Sequence, residues 1–160
     1  MTIPPSIVRH PNGLAYCITE YVPAEHWLRT TWQGFVSPAD AEKGALAALE
    51  PLGLQAIPYL LNDNSQIQGP WFDSAAWLQH VWAPQANRLG LRYVAHVAQP
   101  HTEGDLGALL RHDPFAGQFE LQIFSTMEQA KGWLHDCQRR DSLYPASTAS
   151  QGPGQPAEVA

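Results

Sequence analysis

Asp63 and His101 are the side chains in this 160-residue sequence best suited to moving a proton, one as carboxylate acceptor and the other as imidazole carrier. Asn62 and Asn64 flank Asp63 as carboxamides able to orient a bound group. Trp71, Asp73 and Ser74 follow, and Gln99 stands just before His101. The stretch LLNDNSQIQGPWFDSAAWLQHVWAP, residues 60–84, therefore passes from an apolar segment through a polar junction into a tryptophan-bearing helix. Turnover needs more than this. No nucleophile, base and orienter can be read as a set. No Cys or His pair has zinc spacing, and His96 and His101 are too far apart along an extended strand to clasp one ion unless a loop turns back. Gly104, Gly107 and Gly117 are scattered and match no phosphate cradle. Asn, Asp and Ser are also the residues with which a turn after a strand satisfies its own amides. The expectation is a protein that is not an enzyme and uses no metal or cofactor.

The bulk composition narrows the partners. A net charge of -6, with nine Lys and Arg spread thinly, leaves no electrostatic footprint for nucleic acid or an anionic membrane surface. No stretch reaches the roughly 18 apolar residues that a spanning helix needs. The opening MTIPPSIVRHPNG lacks a basic region followed by an apolar run, so a cytoplasmic protein is expected. Cys17 and Cys137 are too few for a disulfide framework, sit in apolar patterns and read as buried, reduced thiols.

The elements that must position the polar junctions follow from periodicity. Residues 1–12 read as a flexible arm, 13–140 as one domain, and 141–160, rich in Ser, Pro, Gly and Ala, as a disordered tail. Residues 14–21 and 26–34 are rich in β-branched and aromatic residues around a turn at 22–25, the pattern of a hairpin. Ser37-Pro38 opens a helix with Ala41, Ala45, Ala48, Leu49 and Leu52 on one face. Residues 56–63 form a short strand that ends at the polar junction. The next helix carries Trp71, Leu78, Trp82, Ala86 and Leu89 on one stripe, with Pro84 predicting a kink near His80 or a break. Residues 91–99 and 118–124 are strands, with a short helix from Thr102 to His112 between them. Ser125 and Glu128 form the capping box of a final helix bearing Ala130, Trp133, Leu134 and Cys137.

The resulting order, ββαβαβαβα, is an α/β domain with one mixed, mostly parallel sheet of about five strands and helices mainly on one face. A semi-polar sheet face containing Trp27, Val94 and Phe124 is then left for a partner or dimer contact, unless the N-terminal arm or a helix lies over it. In such sheets, ligands sit beyond the carboxyl ends of the parallel strands. That edge gathers Trp32 and Gln33, the Asn62-Asp63-Asn64 run, Gln99 and His101, and Ser125 and Thr126.

The series Trp32-Gln33-Gly34, Asn62-Asp63, Trp77-Leu78, Trp82-x-Pro84, Gly90-Leu91, Tyr93-Val94-Ala95-His96-Val97 and Glu128-x-x-Ala130-x-x-Trp133-Leu134 resembles the STAS-like proteins of bacteria over residues 14–138. These share the fold of the anti-sigma-factor antagonist domain and are often grouped with CRAL-TRIO-like lipid-binding domains. The resemblance implies a signalling or interaction module without catalytic residues. In signalling members a serine in an Asp-Ser-Ser-Gly-like segment is phosphorylated. Asp73-Ser74-Ala75-Ala76 is the matching segment here, with Ser74 as the phosphosite and without the second serine and the glycine.

Three functional readings follow in order. The first is a non-enzymatic, regulatory interaction module that contacts an unknown protein partner or a second copy through the rim formed by Asn62, Asp63, Asn64, Trp71, Asp73, Ser74, Gln99 and His101. The second is a carrier of a small apolar molecule or lipid, enclosed by Trp71, Trp77, Trp82 and Trp133. The third is an enzyme that uses Asp63 and His101.

Overall fold

In the computed structural model, which describes residues 2–68, 75–100 and 115–144, two tight turns set the first half of the sheet. At Pro11-Asn12-Gly13 the glycine takes φ +90°, and Asn12 Oδ1 accepts from the Leu14 N–H at 3.0 Å. This reverses the chain from β1 (Ser6–Arg9) into β2 (Ala15–Val22). At the second turn the Val22 carbonyl accepts from the amides of Glu25 and His26, and the chain returns as β3 (Trp27–Phe35). Both pairs are antiparallel. The loose arm expected over residues 1–12 is corrected by β1, because Val8 stands opposite Cys17 and is buried with it.

The parallel half follows the predicted alternation. Ser37 Oγ accepts from the Asp40 N–H at 3.2 Å and opens α1 (Pro38–Ala47), which is followed by α2 (Glu50–Leu54) and β4 (Tyr59–Gln68). Next come α3 (Ala75–Trp77), a π-helical turn (Leu78–Trp82) and α4 (Ala83–Arg88). Pro84 has no N–H for the carbonyl four residues back and its ring crowds that carbonyl. The run widens in response, and the Ala83 N–H reaches five residues back to Leu78. The disturbance centres on His80, where Pro84 predicts it. The described order closes with β5 (Tyr93–Val97), β6 (Glu120–Phe124) and α5 (Met127–Leu143). Thr126, not Ser125, caps α5, its Oγ1 accepting from the Gln129 N–H at 3.2 Å. The helix expected from Thr102 to His112 lies outside the described residues.

The sheet has six strands rather than five, in the order β1-β2-β3-β4-β5-β6, with β3 through β6 mutually parallel. Parallel strands added one after another in a single direction through right-handed crossovers keep the connecting helices on the same face. Leu28, Leu60 and Val94 on that face pack with Ala45, Leu49 and Leu52 and with Trp82, Ala83 and Ala86. The C-terminal helix has no strand to reach and is free of this rule. It covers the opposite face, where Ala130 and Leu134 pack on Trp27, Leu61, Ala95 and Val97. The semi-polar face expected to hold Trp27, Val94 and Phe124 together is therefore corrected in two ways. Val94 points to the other side, and α5 packs over Trp27 with Phe124 at the cluster's margin. Leu28, Leu61, Leu91 and Leu134 are fully buried, each contributing about 1.5–3 kcal/mol on transfer from water.

Polar contacts fix α5 at the amino ends of β4 and β5. Asp141 accepts from the Tyr59 hydroxyl at 2.6 Å and from the Tyr93 hydroxyl at 3.0 Å, and the two rings stack at 5.6 Å. Burial, and then the bond to Asp141, hold the Tyr59 phenol well above its ordinary pKa. At the β2–β3 turn, Glu25 pairs with His135 at 2.6 Å and accepts from the Gln138 amide at 2.7 Å through its carbonyl. These anchors accompany an α5 that continues past residue 140 to Leu143, where a tail is expected. Among the described residues, no helix is long and apolar enough to cross a membrane.

Candidate functional site

Asn62, Asp63 and Asn64 do not form a turn at the end of a strand. They lie inside β4, which runs on to Gln68, and Asp63 and Asn64 are buried. Asn and Asp are poor strand formers, so their presence in a central strand depends on partners from neighbouring strands. The Trp32 indole N–H, which can only donate, lies 2.9 Å from Asn62 Oδ1. That contact turns the Asn62 NH2 toward Asn64 Oδ1 at 3.2 Å and His96 Nδ1 at 2.8 Å. His96 Nδ1 must then accept, which places the proton of the neutral ring on Nε2. Thr19 and Thr30 extend the polar band on the same face, their hydroxyls 2.9 Å apart. Burial pushes the His96 pKa down to about 4, against the opposing pull of the Asp63 charge.

Asp63 points to the other face and is only 2% exposed. The Ser65 amide and hydroxyl donate to its Oδ1 at 3.0 and 2.6 Å, and Arg29 Nη2 lies 3.6 Å from its Oδ2. Both of its oxygens thus face partners inside the sheet.

A bulge separates this buried run from the exposed end of β4. Thr31 pairs with Asp63, but Gln33 pairs with Gln66, so Trp32 stands opposite two residues, Asn64 and Ser65. One extra residue exchanges the faces of everything beyond it. Ile67 returns to the core beside Trp32, while Gln66 and Gln68 are exposed.

Past the bulge, the carboxyl ends of β3 and β4 border an open groove of about 930 Å3. Its polar lining is Asn12, Gln33, Ser65, Gln66, Gln68 and Gln99, joined by His10 and by the exposed apolar side chains of Leu14 and Phe35. Among the described residues that line it there is no Asp, Glu, Lys or Arg. Gln33 is held at the rim by donating through Nε2 to the Ala15 carbonyl at 2.9 Å. The groove lies at the strand edge where α/β sheets bind ligands. Of the predicted rim residues, Gln99 reaches the groove, Asn62, Asp63 and Asn64 stand behind it, and Trp71, Asp73, Ser74 and His101 lie outside the described residues. Sequence reasoning missed Ser65, Gln66 and Gln68. Their signal is the alternation Ser65-Gln66-Ile67-Gln68, a period of two that continues the strand past the polar run.

Comparison of the chain with family models, with curated proteins and with solved structures gives no match. Neither cysteine is placed to act as a nucleophile. Both cysteines are free and buried, and burial pushes the Cys17 thiol up to about 12 and raises that of Cys137, so neither is a thiolate near neutral pH.

Proposed function

We propose that this chain is a non-enzymatic, STAS-like interaction module with a regulatory role, engaging a protein partner through the groove at the carboxyl ends of β3 and β4. The observation that carries this reading is the division of labour along β4. Asp63, and His96 beside it on β5, are buried and hydrogen-bonded within the sheet, whereas the exposed polar residues at the end of β4 are carboxamides and a hydroxyl, which bind well and catalyse poorly; His101 lies outside the described residues. The tryptophans add support. Trp82 donates to the Ala45 carbonyl at 2.7 Å and meets Phe119 edge-on, and Trp133 packs against Tyr93 and Phe124. These indoles serve as core filler, an arrangement that favours a contact module over a carrier with an enclosed apolar cavity.

Site-specific photocrosslinking tests the placement. A benzophenone side chain introduced at Gln66 should yield a discrete protein adduct in native lysate, and the same group at the exposed Arg139 on α5 should not. Adducts of equal yield at both positions, or at Arg139 alone, would remove the groove from consideration.

A further inference from the structure

We propose that the occupant of the groove is an extended, uncharged polypeptide segment that lies beside the projecting end of β4 as an added strand. The inference rests on the reading of this chain as an interaction module and specifies what that module takes.

The geometry comes from two diverging strands. β4 and β5 last pair at Asp63 and Val97. Beyond that point β5 ends, its last ladder bond to β6 running from the Ala98 N–H to the Phe124 carbonyl at 2.9 Å, while β4 continues beside β3 as far as Gln68. Gln99 and Pro100 then form the far wall of the groove. One edge of Gln66–Gln68 is paired with Gln33, Gly34 and Phe35 of β3. Along the other edge, no strand among the described residues pairs with it. An open strand edge presents alternating N–H and C=O groups that a second chain can pair with, and proteins usually guard such edges with Lys, Pro or inward-pointing charge. Ser65-Gln66-Ile67-Gln68 carries none of these guards.

The lining sets the chemistry of the guest. Among the described lining residues the one titratable side chain is His10, which already lies 3.7 Å from Asp40, so a charged guest side chain would lose water for little return, a cost that favours an uncharged segment. Leu14 and Phe35 offer apolar contact at the same rim. The single proton of the Ser65 hydroxyl is given to Asp63 at 2.6 Å, so its lone pairs remain for an incoming donor such as a backbone N–H. The exposed carboxamides of Gln66 and Gln68 can follow a peptide backbone with either polarity.

The test is selection of a displayed library of random octapeptides on the immobilised full chain. The expected result is enrichment of sequences without Asp, Glu, Lys or Arg in their central residues. A synthetic copy of the leading peptide, N-methylated at alternate residues, should bind at least about tenfold more weakly, since each methyl removes a ladder donor. Because that change is made in the peptide, no failure of the protein to fold can mimic it. Binding that is insensitive to methylation but lost in Gln66→Arg overturns the added strand and leaves the groove reading standing. Binding untouched by both changes overturns the two together. Enrichment of charged sequences, no enrichment at all, or self-association of the chain abolished by Gln66→Arg each overturns the uncharged partner segment.

Discussion

Gly44→Ala should destabilise the protein by about 2–3 kcal/mol, although alanine in place of an internal helix glycine ordinarily stabilises by about 1 kcal/mol. The reversal comes from Trp32. A Cβ on residue 44 would stand 2.6 and 2.7 Å from Cη2 and Cζ3 of that ring and 3.1 Å from the Cys17 Cβ. The indole cannot simply move aside, because its N–H is tied to Asn62, and Asn62 in turn sets His96. Relief of the clash therefore disrupts the hydrogen-bond chain in the middle of the sheet as well as local packing. Thermal unfolding should show a midpoint lower by roughly 5–10 °C for a chain of this size. The double variant Gly44→Ala/Trp32→Phe, with a smaller ring and no indole N–H, should lose less than the two single changes summed, because both act on the same contact. A single variant as stable as the parent would show that the ring has room to shift and that the chain of bonds does not constrain it.

Acidification should remove about 3 kcal/mol of stability through His96 alone, the second large effect. In the unfolded chain the imidazole titrates near 6.5, and in the fold burial lowers this to about 4. Between these values the unfolded state binds more protons, so stability falls as the pH falls, by about 1.4 kcal/mol per unit. The contribution is complete above pH 6.5 and lost by the time the pH has passed below 4. Its origin is burial, and the Asn62 NH2, which already donates to Nδ1, would face a second donor if that nitrogen were protonated. His96→Gln retains an acceptor for Asn62 and has no proton to gain. Urea unfolding across this window should therefore give a steep pH dependence for the parent and a shallower one for the variant. Parallel curves would assign the acid sensitivity to other groups.

The sequence discloses those elements whose determinants are local. Ser37-Pro38 opens α1 as its capping chemistry requires, Pro84 disturbs the helix around His80, and Ala130, Leu134 and Cys137 form the buried stripe of α5. Asn62-Asp63-Asn64 misleads because its determinants are remote. Three turn-forming residues in a row are tolerated in a central strand only because Trp32, His96 and Arg29 arrive from neighbouring strands about 30 residues away in sequence. The bulge opposite Trp32 is hidden for the same reason, since pairing decides it and composition does not. Without the bulge, alternation along β4 would place Ile67 on the face of Asp63 and obscure the exposed rank of Gln66 and Gln68. The error over Val94 and Trp27 is likewise one of register, because a strand's own alternation cannot say which of its sides meets the helices. β1 was legible in part. Pro11-Asn12-Gly13 is a reversal signal, and Ile7-Val8 just before it has strand composition.

The division of β4 into a structural half and a binding half is tested most directly by comparing Asn62→Ala with Gln66→Arg in two measurements on each variant, denaturant unfolding and Gln33-positioned photocrosslinking to partner. The expected result is opposite behaviour. Asn62→Ala should lose about 2–3 kcal/mol of stability by stranding the buried Trp32 and His96 nitrogens, while its folded fraction captures partner as the parent does. Gln66→Arg, on the exposed surface, should stay within about 0.5 kcal/mol of the parent and lose capture. A folded, stable Asn62→Ala that fails to capture, beside a Gln66→Arg that captures normally, would return the site to the buried polar run and contradict the assignment made here.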